Sequence, residues 1–112
     1  MRDDKKYLFH IDQCIARIEE DVAGGHQAFQ SSHLVQDAVL RNLQVIAEST
    51  KRLSEPLKTS CTEIDWSGIA GFRNFLVHEY LGVDLEAVWQ IVATDLPALK
   101  AAVVRLLNML PN

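Results

Sequence analysis

The sequence predicts an all-α domain, an antiparallel up-and-down four-helix bundle. Three observations predict it. Apolar residues recur at steps of three and four along most of the chain, no segment alternates in the manner of a strand or offers an Asn-Gly hairpin, and helix-capping or helix-breaking residues separate four apolar stripes. With 112 residues, 48% of them hydrophobic and only 3 prolines, the chain suits a single domain over 1–112 with one core.

The first stripe is Leu8, Ile11, Ile15, Ile18 and Val22, and Gly24 and Gly25 are expected to end that helix. The second runs from Ser32, a suitable N-cap, through Val35, Val39, Leu43, Ile46 and Leu53, stopping before Pro56 because a proline disfavours helix in the preceding residue. The stretch EPLKTSCTEID then reads as a loop. A third helix is expected to start near Asp65 or Ser67 and to close near Gly82. The fourth follows Asp84, where Leu85, Val88, Val92, Leu96, Leu99, Val103, Leu106 and Leu110 hold helical phase across Pro97. Because the phase survives, one helix kinked at Pro97 is expected rather than two.

Composition narrows the function classes. A net charge of −4 argues against nonspecific nucleic-acid binding unless basic groups are concentrated locally. Cys14 and Cys61 have no metal-type spacing and read as small buried hydrophobes in a reducing compartment. The N-terminus MRDDKKYLFH lacks a long apolar run, and no stretch approaches the roughly 20 consecutive apolar residues of a membrane span. A cytoplasmic location without membrane insertion is therefore expected, and no metal site or cofactor is expected either. His78-Glu79 begins like a zinc-protease helix, but Gly82 stands where the second His would be. His10, His26 and His33 share no ligand-like spacing, and Trp66 and Trp89 read as helix-packing anchors.

The chemistry-bearing segment is Arg73 to Tyr80, RNFLVHEY. On a regular helix Ile69, Phe72 and Leu76 share the core face, while Asn74 and His78, four apart, stack on another, where Asn74 can orient the imidazole. Arg73 and Tyr80, seven apart, also align. Arg73 and His78 diverge by roughly 140° and flank an outward strip, so a twofold partner packed there would bring two copies of the polar set into one cleft. Histidine exchanges protons near neutral pH, and arginine is the fixed cation best shaped for phosphate oxygens. By spacing alone the more ordinary reading of these residue types is structural: a surface or hydrogen-bonded histidine, a solvated or ion-paired arginine and a half-buried tyrosine.

These positions resemble the motif of the HEPN superfamily of small helical ribonucleases, most closely its HepT toxin branch: Arg, four residues, His, one residue, Tyr. DAVLRNLQVIAESTKRLSE, the DW at 65–66 and LGVDLEAVWQIVATDLPALK extend the resemblance over roughly residues 33–100. Ala47 departs from it, since the family usually has Gly there. The resemblance implies a HEPN-like fold and a homodimeric, metal-independent endoribonuclease, the toxin of a type VII toxin–antitoxin pair. It also implies a cognate antitoxin, a MntA-like nucleotidyltransferase that silences the toxin by transferring AMP to the motif tyrosine. Carried over, Arg73 and His78 are catalytic, Asn74 supports them, and Tyr80 is the modified residue.

A charged row on the second helix, Arg41, Gln44, Glu48 and Arg52, extends this picture. Arg41 and Arg52 are candidate RNA phosphate contacts and Glu48 is a candidate to orient Arg73, against the alternative of a solvated row with a Glu48–Arg52 pair at i, i+4. Two rival readings stand beside the nuclease. One is a noncatalytic helical module binding a nucleotidyltransferase or a nucleotide, and the other is a structural bundle with an apolar dimer face.

Overall fold

The computed structural model describes residues 2–71 and 84–111, and among them all regular structure is helical. The helices are α1 (Arg2–Asp21), α2 (His26–Ser31), α3 (His33–Lys51), α4 (Glu55–Thr59), α5 (residues 66–71), α6 (Leu85–Gln90) and α7 (Leu96–Met109), with a π-helical turn at Ile91–Asp95 joining the last two. The all-α class expected from the apolar periodicity is what the chain adopts.

The predicted stripes form the core. Leu8, Ile11, Ile15 and Ile18 of α1 and Val39, Leu43 and Ile46 of α3 are fully or almost fully buried, against Val88, Leu99, Val103 and Leu106 of the C-terminal run. Ala47 is fully buried too. Asp4 near the start of α1 meets Ser54 just beyond the end of α3, so these two helices run antiparallel. Both cysteines are buried and free, as their spacing suggested.

Capping fixes the starts of the long helices. Ser32 accepts from the Val35 N–H at 3.3 Å, and Asp84 accepts from the Glu86 and Ala87 N–H groups at 3.0 and 3.1 Å. At α5, Asp65 rather than Ser67 is the cap, its Oδ1 accepting from the Gly68 N–H at 3.0 Å.

Three expectations are corrected. After α1 the glycines do not lead straight to the second long helix. Gly25, at φ 91°, turns the chain into α2, whose six residues bury only Phe29, too few apolar positions to register as a period. The stretch EPLKTSCTEID is not all loop, because Ser54 caps α4 and Pro56 sits in its first turn, where a missing N–H costs no helical bond. The helix before Pro56 ends at Lys51, so Leu53, though buried, lies beyond it.

The C-terminal helix is continuous from Leu85 to Met109 across Pro97, as expected, but the proline is accommodated by the π turn. The Leu96 N–H reaches back five residues to the Ile91 carbonyl, widening the backbone next to the ring that would crowd the carbonyl one α-turn earlier. By length and composition alone Leu85–Met109 is apolar enough to cross a bilayer, although no run of consecutive apolar residues reaches that length. Its inner positions lie in the core, with α7 packed against α1 and α6 against α2.

Candidate functional site

Arg73, Asn74, His78 and Tyr80 lie outside the described residues. The chain on either side of them is firmly seated. Trp66 donates its indole N–H to the Lys58 and Cys61 carbonyls at 3.1 and 3.0 Å, and Ile69 is buried. Beyond the segment, Asp84 caps α6 and Val88 is fully buried. Trp66 thus acts as the packing anchor expected of it.

The charged row on α3 is brought together as its helical spacing required. Arg41, Gln44, Glu48 and Arg52 all line one groove of about 490 Å³, shared with Val45 and Ser49 of α3 and with Tyr7 of α1. Arg41 and Arg52 are exposed and Glu48 is half-buried. Tyr7 is half-buried, packed against the core along one side, with the Arg52 guanidinium carbon 6.0 Å and the Lys6 ammonium 5.6 Å from its ring centroid. His10 meets the same ring edge-on, with centroids 6.2 Å apart.

Tyr7 was not singled out by sequence. It precedes the buried Leu8 on a different helix from the charged row, and helical spacing relates residues only within one helix. The signal that would have found it is the tyrosine beside a double lysine, Lys5-Lys6-Tyr7, at the edge of the α1 stripe.

Two other polar clusters have structural roles. His26 lies 2.7 Å from Glu86, which Gln30 also contacts at 3.2 Å, and the imidazole stacks on Trp89 at 5.0 Å between centroids. Phe29 packs on the same indole at 5.4 Å, so Trp89 is the anchor that fastens α2 to α6. In the second cluster Arg105 donates to the Glu63 carboxylate and, at 3.1 Å, to the Cys61 sulfur. Glu63's own backbone N–H and then Arg105 hold its carboxyl below the ordinary range. Burial, followed by the neighbouring Glu63, pushes the Cys61 thiol up.

A cleft of about 260 Å³ lined by Glu63, Asp65, Asp95, Ile64 and Ile69 lies nearby. Among the described residues no group of three or more His, Cys, Asp or Glu side chains is placed to hold a metal ion.

Comparison with known proteins points one way. A family model described as ribonuclease HepT-like matches residues 11–106, which take in the whole Arg73–Tyr80 segment and the α3 row. A Methanocaldococcus jannaschii protein named as a gamma-glutamylcyclotransferase and candidate RNase is 34% identical over 97% of this chain, which spans 50% of that relative's length. A Caldanaerobacter subterraneus protein named as a candidate RNase is 30% identical over 96% of this chain and 97% of its own. A Thermococcus cleftensis protein named as a probable ribonuclease HepT is 36% identical over 88% of this chain and 91% of its own. No solved structure matches.

Proposed function

This chain belongs to the HepT-like ribonuclease family, and on that premise we propose that it is a metal-independent endoribonuclease toxin whose active groups are Arg73 and His78. The observation that carries the reading is that the family match runs through an intact RNFLVHEY segment and not only through the apolar scaffold.

RNA supplies its own nucleophile. One His78 imidazole accepts the proton of the ribose 2′-hydroxyl as that oxygen bonds to phosphorus, and a protonated His78, from the second subunit of a homodimer, donates to the departing 5′-oxygen. General acid–base help of this kind is worth about 10² to 10⁴ in rate. Arg73 carries the fixed positive charge against the phosphorane oxygens, and Asn74 orients the imidazole. The bond formed is 2′-O–P and the bond broken is P–5′-O, so the products are a 2′,3′-cyclic phosphate and a 5′-hydroxyl. Glu48 is assigned to orienting Arg73.

Control follows from Tyr80. A nucleotidyltransferase antitoxin adding AMP there places a bulky base and a negative phosphate only seven positions along the chain from Arg73, which repels the RNA backbone.

The test is to incubate the purified chain with single-stranded RNA in chelator and to identify the ends by mass spectrometry. Cyclic phosphate and 5′-hydroxyl ends, lost in His78→Ala and Arg73→Ala, support the reading. Ends bearing a 3′-hydroxyl and formed only with added Mg²⁺ overturn it. Intact RNA with harmless expression in cells would instead favour a noncatalytic module that binds the nucleotidyltransferase.

A further inference from the structure

The chain as a whole is acidic, at −4, yet the α1–α3 groove sets two arginines, Arg41 and Arg52, against the single carboxylate of Glu48. Its other wall carries Tyr7, with the Lys6 ammonium and the guanidinium of Arg52, the residue that follows α3, lying over its ring. At about 490 Å³ the groove falls within the range of small-ligand sites, roughly 300–1,000 Å³. An aromatic ring in a groove that also holds guanidinium groups is the combination that binds unpaired nucleotides, because bases stack on aromatic and guanidinium planes alike and every linkage carries a charge.

Resting on the ribonuclease reading, we infer that this groove is a substrate subsite for single-stranded RNA in which Tyr7 stacks one base and Arg41 and Arg52 hold phosphates. The two arginines lie eleven positions apart, roughly 16 Å at 1.5 Å per helical residue. They therefore engage different phosphates of one strand, with the Glu48 carboxylate keeping a phosphate out of the middle. Gln44, on the same wall, offers both a donor and an acceptor to a base edge. Stacking on a ring of this kind is sequence-tolerant, so the subsite grips the strand without choosing its bases.

The experiment measures cleavage kinetics on a short labelled single-stranded RNA and, in a His78→Ala background, its binding by fluorescence anisotropy across a salt series. Tyr7→Leu keeps apolar bulk against the core but removes the ring. It is expected to raise Kd and KM about tenfold, the scale of one lost stack, with a much smaller change in kcat. Tyr7→Phe recovers most of that loss. Arg52→Gln weakens binding and lowers the slope of log affinity against log salt by about 0.7. Arg52 is exposed, so this arm holds even where Tyr7→Leu fails to fold.

If the wild type cleaves RNA while Tyr7→Leu is folded and unchanged in KM, or Arg52→Gln leaves the salt slope unchanged, the subsite is wrong and the nuclease reading stands. If the wild type neither cuts nor binds RNA, both fall.

Discussion

Asp4, in the first turn of α1, accepts two hydrogen bonds from Ser54, one from its backbone N–H at 2.7 Å and one from its hydroxyl at 2.6 Å. Asp4 is only 2% exposed, and the Ser54 hydroxyl also accepts from the Leu57 N–H to cap α4. One carboxylate therefore joins the start of the chain to the turn between α3 and α4. Asp4→Ala strands the Ser54 donors and should cost about 2 kcal/mol, since hydrogen bonds to charged groups are worth about 1.5–3. Urea unfolding measures it, and a double-mutant cycle with Ser54→Ala should show coupling well above zero.

Asp84 holds two N–H groups at the start of α6. Asp84→Ala should destabilise the chain by about 1 kcal/mol, and Asp84→Asn by a few tenths, because asparagine caps comparably well. Thermal unfolding distinguishes the two. Equal losses would mean that the carboxylate's charge, and not its cap, is what matters.

Acid sensitivity should trace in part to Glu63. Its carboxyl is held below the ordinary range in the folded chain, first by its own backbone N–H and then by Arg105. A depressed acid contributes stability that is present above the unfolded pKa and is lost as pH falls through the lower folded value. Glu63→Gln should therefore flatten the acid limb of a stability–pH curve and leave its slope near pH 7 unchanged. The ion pair is half-exposed, so salt should blunt the difference between the two curves.

Cys14 and Cys61 should resist alkylation in the native chain. Burial pushes the Cys14 thiol up, with Arg17 and then Arg41 opposing it, and Cys61 is raised for the reasons already given. Little thiolate is present near neutral pH, so iodoacetamide should label both slowly until urea unfolds the protein. Prompt labelling of the folded chain would contradict this. A raised thiol also contributes stability below its unfolded pKa and loses it as pH rises through the folded value, so these two residues act only on the alkaline limb.

Tyr80→Phe removes the hydroxyl that an adenylate would need while keeping the ring. Co-expressed with a nucleotidyltransferase antitoxin, this variant should still arrest growth, and its mass should show no added AMP. Restored growth would place the control elsewhere.

The long helices were legible because each buries four or more apolar residues at a constant pitch, as Leu8, Ile11, Ile15 and Ile18 do. The start at Ser32 was legible as a cap because the capping side chain is local to the turn it serves, and the start after Asp84 was legible from where the apolar period begins. Helices α2 and α4 were not. Phe29 and Leu57 are the buried residues within them, and one position defines no period. The α3 wall of the groove could be read from i, i+4 spacing, whereas Tyr7 belongs to it only because α1 packs against α3, a fact of tertiary assembly.

The π turn at Ile91–Asp95 has a bearing on how this chain tolerates change in length. Such a turn houses one more residue than an α-turn does, so losing one there lets the helix close to its regular form with both halves still facing inward. The same loss beyond Leu96 would swing every later side chain by about 100° and drive surface groups such as Arg105 toward the interior. Natural shortening and lengthening of this helix should therefore concentrate within those five positions.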